Sequence, residues 1–308
     1  MKAIMYHYVR EFNPEFSNFK YLDVNNFQNQ LDFLEKEYGF VDKNDWNNII
    51  HNINTKELPK GVILTFDDAM SCHYEYVFKI LKQRKLWGIF FVPTMPYTSN
   101  EILDVHKIHL LCGKFDGNKL LKKCIELVDS NSLKFKQNNE FNSLTYSNQS
   151  NFEGISQFKR ILNYFIDDNI KKDVIDEICN YFKLNLDLNN FYVSEKNLKQ
   201  MSDEGMVIGS HTVNHPVMSK LDSDTQRKEI IDSFDFLDSI ISLSNKVYCH
   251  PYGGSHSFND NTITLLNELN IDYAFSVANR NISLKDFRDN KYALPRYDCN
   301  QFSHGKSA

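Results

Sequence analysis

Short apolar runs alternate with amphipathic stretches along most of this chain, and the alternation predicts strands connected by helices. Ala3 to Val9 reads as a first strand. Asp23 is a good helix N-cap, and Phe27, Leu31, Phe33 and Leu34 then recur at near-helical spacing up to Gly39. A polar helix over Asp45 to Asn52 leads to a loop at Pro59. Val62, Ile63 and Leu64 form a strand too short and too β-branched for a helix. Tyr76, Val77, Ile80 and Leu81 mark a helix that delivers the chain to a strand at Trp87 to Val92, ended by Pro93 and Pro96. Strand, helix and strand in that order favour parallel pairing with a right-handed crossover.

The pattern changes over residues 98–191, which read as a large helical insert. Leu120, Leu121, Cys124, Ile125 and Val128 form one apolar face, and Phe158, Ile161, Leu162, Phe165 and Ile166 form another. The Asn- and Ser-rich run from Gln137 to Asn151 reads as a loop between them. Beyond the insert, the βα alternation resumes. Val193 to Gly205 is a helix with Gly205 as its C-cap, and Met206 to Gly209 is a strand. A helix over Asp222 to Leu243 carries the seam Ile230, Phe234, Leu237 and Ile241. Strands follow at Lys246 to Cys249 and Tyr273 to Val277. The expectation is an α/β fold, one elaborated catalytic domain over 1–308 with the insert as a lid or specificity element.

Composition narrows the class. With 308 residues and 42% hydrophobic content, the chain can bury a substantial core. Its net charge of −5 and pI near 6.1 argue against a general nucleic-acid or anionic-membrane binder. No stretch is long and apolar enough to span a bilayer, and the N-terminus lacks a signal-type apolar core. The six cysteines are scattered without paired spacing, which fits free thiols and a cytoplasmic location.

Candidate chemistry sits at two strand ends. The run Gly61-Val62-Ile63-Leu64-Thr65-Phe66 ends in Asp67-Asp68. Adjacent carboxylates oppose joint ionisation, a cost that a bound cation relieves. One acid can then bind the metal while the other acts as general base. An ordinary acidic turn after a strand has the same local sequence. The second end supplies what the first needs: Ser210-His211-Thr212-Val213-Asn214-His215-Pro216 follows an apolar run. Pro216 disfavours a helix at His215, so the two imidazoles belong to a strand end and tight turn. Two imidazoles and one carboxylate suit a catalytic divalent metal with open positions.

Together, Thr65-Phe66-Asp67-Asp68 and His211-Thr212-Val213-Asn214-His215-Pro216 resemble the first two motifs of the polysaccharide deacetylases, the fourth carbohydrate esterase family. The resemblance implies a distorted (β/α) barrel and metal-dependent removal of an acyl group from an N-acylated amino sugar. It makes Asp67 the base and Asp68, His211 and His215 the ligands of one divalent ion, zinc with cobalt, nickel or iron as alternatives. His250-Pro251-Tyr252-Gly253-Gly254 is similar to the third motif, in which Pro251, Tyr252 and Gly253 would shape the cleft and the tyrosine backbone N–H helps stabilise the oxyanion; an ordinary Pro/Gly turn has the same local sequence. The family's arginine two positions before the proline is Cys249 here, and Arg296 is the candidate to orient the base in its place. Ala69 replaces the glycine usual after the aspartates, and the Asp- and Trp-containing fourth motif has no clear match. The family's C-terminal leucine-histidine motif is also missing around His304. Tyr6-His7 instead matches the circularly permuted poly-N-acetylglucosamine deacetylases, which implies that His7 is the catalytic acid.

The resemblance implies an amino-sugar substrate, and the absent export signal points to an intracellular one, such as a nucleotide- or lipid-linked amino sugar on the way to a surface glycan. A sugar deformylase or an O-deacetylase would use the same residues, and a catalytically degenerate glycan-binding protein is the alternative from another class. In the insert, His106 and His109 stand at i,i+3 and are candidates for lid contacts; a solvated helix face is the competing reading.

Overall fold

Seven parallel strands close into a barrel in the computed structural model, which describes residues 1–51, 56–128 and 153–307. In chain order the strands are β1 (Lys2–Tyr6), β2 (Val9–Arg10), β3 (Leu22–Asp23), β4 (Val62–Asp67), β5 (Ile89–Val92), β6 (Val207–Ser210), β7 (Val247–Cys249), β8 (Tyr273–Val277) and β9 (Leu294–Asp298). The barrel runs β1-β4-β5-β6-β7-β8-β9, and β2 pairs with β3 apart from it. Closure comes from β9 against β1, with Ile4 opposite Tyr297 and Met5 opposite Asp298. The expected (β/α) barrel is therefore observed.

The chain divides into two compact units. The barrel unit comprises Met1–Glu11, Tyr21–Asn100 and Asn189–Ala308. Period-2 alternation sorts its strand residues between two apolar clusters. Ile4, Tyr6, Leu64, Phe66, Phe90, Val92 and Ile208 pack with helix residues such as Phe27, Leu31, Leu34, Leu81, Leu198 and Leu237. Their neighbours Ala3, Ile63, Phe91, Cys249, Tyr273, Phe275 and Leu294 form the other cluster, with Trp46 among them. Trp46 is fully buried; its ring meets Tyr273 edge-on at 4.9 Å and its indole N–H donates to the Tyr273 hydroxyl at 3.1 Å. That hydrogen bond satisfies the polar end of a large apolar side chain.

The second unit comprises Phe12–Lys20 and Glu101–Leu188. Among its described residues are helices Asp104–Lys114, Gly117–Leu127, Glu153–Arg160 and Asp168–Tyr181. Asp116 and Asp167 cap two of them through their side-chain oxygens. Leu120, Cys124, Phe158, Leu162, Ile175 and Ile178 are buried. The buried Lys107 ammonium is neutralised by Asp176 at 2.6 Å and Asp104 at 3.4 Å. The loop read at Gln137 to Asn151 lies outside the described residues. Phe12–Lys20, which no sequence pattern associates with the insert, joins this unit: the Asn18 N–H donates to the Gly113 carbonyl at 3.0 Å, and a side chain at Gly113 would collide with Phe19.

Several boundaries differ from the sequence expectation. The strand expected from Trp87 begins at Ile89, and the Trp87 indole N–H donates to the Val41 carbonyl at 2.7 Å. Pro96 opens a short helix, Met95–Ser99, where proline fits the first turn. The helix after Asp68 begins as a π-helical segment, His73–Phe78, and continues as Lys79–Gln83. The helix expected over Val193 to Gly205 spans Glu195–Asp203, capped by Ser194. Among the described residues no helix is long and apolar enough to cross a membrane, and the six cysteines are free thiols.

Candidate active site

The acids and histidines singled out in the sequence meet at the carboxyl ends of β4 and β6, the usual place for chemistry in parallel barrels. Asp67 is the last residue of β4 and Asp68 follows it, its N–H still bonded to the Phe91 carbonyl at 3.0 Å. His211 follows β6, with its N–H on the Val92 carbonyl at 3.0 Å. Gly209 permits this close approach, since a side chain there would collide with the Val247 carbonyl and the Phe91 ring. Both aspartates and both histidines are buried.

Left-handed backbone is concentrated here. Asp68 (φ 82), Ala69 (φ 52), Thr212 (φ 68), His215 (φ 53) and Tyr252 (φ 62) all adopt conformations that L-residues rarely occupy. Such strain persists where the surroundings over-determine it, and it clusters at functional sites. The φ at Ala69 also gives a physical reason for the glycine expected there. Gly253, at φ 68, has no room for a side chain against Val277.

The adjacent acids turn to different partners. Asp67 receives a bidentate pair from Arg296, Nη1 to Oδ1 at 2.7 Å and Nη2 to Oδ2 at 2.8 Å. The fully buried guanidinium also donates to Thr65 Oγ1 at 3.1 Å, the Ser276 carbonyl at 3.4 Å and Cys249 Sγ at 3.0 Å. Burial by itself would raise the Asp67 carboxyl, but the charge and hydrogen bonds of Arg296 outweigh it and hold the group below its ordinary value. Burial pushes the Cys249 thiol well up, with Arg296 opposing, so it stands beside the pair as a neutral thiol. The Asp67 carboxylate is thus paired by an arginine from β9, while β7 presents Cys249 to the same guanidinium.

Asp68 faces the imidazoles. Its Oδ1 lies 3.6 Å from His211 Nε2 and 3.6 Å from His215 Nε2. The ligand atoms of the three residues all lie within 4.8 Å of one another. With bonds of about 2.1 Å, two ligands of a tetrahedral ion stand roughly 3.4 Å apart, so these separations fit a shared cation better than hydrogen bonds. His211 Nδ1–H donates to the Cys249 carbonyl at 2.9 Å, which fixes the tautomer and leaves Nε2 as the electron-pair donor. Burial lowers the pKa of His211, favouring the neutral ring that a metal requires. Asp67, His211 and Cys249 also form a compact trio, but Arg296 donates to both Asp67 and Cys249 and makes that set unsuitable for a cation.

His7 follows β1, its side chain 40% exposed, with Nε2 4.0 Å from Asp68 Oδ2. His73, which no sequence motif singles out, is fully buried and donates from Nε2 to the His7 carbonyl at 2.6 Å. Burial pushes its imidazole down to about 4, so it acts as a neutral donor that holds the end of β1. An i+5 histidine after Asp68 was the available signal, but only the fold shows where its ring points. The Tyr252 ring stands edge-on to His215 at 4.8 Å, on the turn with buried Pro251 and Gly253. His304 is exposed on the C-terminal turn. His106 and His109, 6.0 Å apart between ring centroids, lie in the second unit; His106 is fully buried, so the solvated-face reading fails for it.

Residues 161–274 match the sequence profile of the polysaccharide deacetylase family. That stretch contains both histidines of the candidate site and neither of its aspartates. A peptidoglycan-N-acetylglucosamine deacetylase of Bacillus cereus is 36% identical over 56 residues, 18% of this chain and 20% of that protein. The chain thus aligns with about a fifth of that curated relative. Among solved structures, the Streptococcus pyogenes deacetylase PplD superposes with a TM-score of 0.57 at 18% identity, covering 97% of this chain and 91% of that one. IcaB from Ammonifex degensii gives 0.54 at 16% identity over 96% and 90%. A de-N-acetylase from Aggregatibacter actinomycetemcomitans gives 0.52 at 14% identity over 96% and 93%. At these identities the structural likeness establishes the shared fold.

Proposed function

We propose, from the match of residues 161–274 to the polysaccharide deacetylase profile, that this chain is a metal-dependent hydrolase removing an N-acetyl group from an amino sugar. The observation that carries this reading is the asymmetry of the adjacent acids: Asp67 is committed to Arg296, and Asp68 faces two imidazoles. A bare acidic turn has no reason to bury both acids and divide them in this way.

Asp68, His211 and His215 hold the divalent ion, of which zinc is the first candidate on ligand type. Bound there, the ion would supply Lewis acidity to the acyl carbonyl and to the attacking water. Asp67, kept ionised by Arg296, takes the proton of that water. The water oxygen adds to the acyl carbon, and the Tyr252 backbone N–H donates to the developing oxyanion. The carbon–nitrogen bond then breaks as His7 delivers its proton to the departing amine. Acetate and a free amino sugar result. The buried site residues restrict bulk water around the charges, which strengthens each of these interactions.

The proposed substrate is an N-acetylated amino sugar on an oligosaccharide, nucleotide or lipid carrier, used in surface-glycan biosynthesis. The test is a panel of such sugars with matched N-formyl and O-acetyl analogues, read by the acid released. Acetate from an N-acetyl member, abolished in Asp67→Asn, is the expected result. Turnover confined to the formyl or O-acetyl compounds would refute the amide assignment.

A further inference from the structure

The loop between the two histidines is short and strained, and every N–H along it is tied to a side chain. The Thr212 N–H donates to Ser210 Oγ at 3.1 Å, and the His215 N–H donates to Thr212 Oγ1 at 2.9 Å. The two middle amides, Val213 and Asn214, both donate to Glu229 Oε2 at 2.9 Å. Successive amides converging on one anion form a nest, here filled by a carboxylate of the chain itself. The Asn214 side-chain amide donates to Glu229 Oε1 at 2.5 Å, and the Thr212 hydroxyl also bonds to this carboxylate.

Glu229 reaches the loop from helix Ser223–Ile240, and Ser233 lies one turn further along the same face. The Ser233 hydroxyl donates to the Ile230 carbonyl at 2.8 Å. With that proton committed, the 2.6 Å contact between Ser210 and Ser233 has Ser210 as donor. Ser210 is in turn the acceptor of the Thr212 N–H. One helix therefore grips the end of β6 and the histidine loop at two points a turn apart. Loop carbonyls are held from the other side, Thr212 by the Thr94 N–H at 3.1 Å and Val213 by the Met95 N–H at 3.0 Å.

We propose that Glu229 is a positioning residue for the cation: it fixes the Thr212–His215 backbone so that His211 and His215 face Asp68 before the ion arrives. The inference rests on the reading of those three residues as metal ligands. Without Glu229 the Val213 and Asn214 amides lose their acceptor, the strained φ values at Thr212 and His215 lose support, and the imidazoles must be ordered by the ion at the expense of affinity. Glu229→Gln would keep a carbonyl oxygen for the two amides, whereas Glu229→Ala keeps no acceptor for them.

The test is zinc affinity of the full chain, measured by competition with a chromophoric chelator, beside amide hydrogen exchange over residues 211–216 without metal. Glu229→Ala should bind zinc about 10- to 100-fold more weakly, the range for residues that orient metal ligands. Its loop amides should exchange faster than wild type while the β4 and β5 amides stay protected. Glu229→Gln should recover most of the affinity and the protection. If the alanine variant does not fold, Glu229→Asp, with its arm one methylene shorter, should lose about 10-fold. Wild-type zinc affinity and loop protection in Glu229→Ala would overturn the proposal. Failure of the metal reading has a different signature: wild type and His211→Ala would bind zinc equally poorly, although loop exchange still responded to Glu229.

Discussion

At the scale of single residues, the central exchange is between Cys249 and Arg296. The resemblance expects an arginine on β7; Cys249 stands there, in contact with the Arg296 guanidinium from β9 at 3.0 Å. Arg296→Met should leave Asp67 buried without its charged partner and cost about 3–5 kcal/mol. The pH dependence has a definite sign. In the wild type the Asp67 carboxyl is held below its ordinary value of 3.8. Its stabilising contribution is complete above that ordinary value and is lost as pH falls through the lowered one. In Arg296→Met burial, the largest influence, is opposed only by the lesser ones of His211 and His7, and the carboxyl titrates above its ordinary value. The deficit should therefore be largest at neutral pH and shrink on acidification, and the acid limb of kcat/KM should move upward. Cys249→Arg in the same variant should restore both by returning the charge from β7. Thermal melts and pH–rate profiles of the three proteins check this; an unmoved acid limb in Arg296→Met would remove Arg296 from the account.

At the scale of elements, the question is which strand supplies the acid. β1 ends at Tyr6, and its paired register with β4 brings His7 beside Asp68. The His73 ring holds the His7 carbonyl where the ladder stops. His7→Ala should lower kcat by roughly two to four powers of ten with metal content unchanged. A substrate whose leaving group needs no proton should recover much of the rate. His304→Ala, on the exposed turn, should behave as wild type. A severe defect in His304→Ala with a near-normal His7→Ala would move the acid to the C-terminus.

At the scale of the whole molecule, the parts visible in the sequence were those that obey a local rule. β8 was legible to the residue, because Tyr273 to Val277 is a short run with aromatic and β-branched residues on either side of a single serine. β9 was not read as a strand, since Pro295 within Leu294–Asp298 argues against one; barrel closure on β1 overrides that propensity. Asp67, Asp68, His211 and His215 were legible as motifs, and their convergence follows from β4 and β6 flanking β5 in the sheet. Glu229 and His73 carried no signal of their own. A glutamate inside an amphipathic helix and a histidine after a turn acquire meaning only when the fold aims them at Val213, Asn214 and His7. The association of Phe12–Lys20 with the insert is likewise a long-range pairing that no local pattern encodes.

The claim that organises all three scales is that neighbouring carboxylates have separate duties, and a paired measurement of metal content and turnover in Asp67→Asn and Asp68→Asn tests it most directly. Asp68→Asn should lose most of its metal together with its activity. Asp67→Asn should retain the metal while turnover falls on the order of a hundredfold or more, the scale of a positioned general base. Equal loss of metal in both variants, or full metal and full turnover in either, would contradict the division of labour.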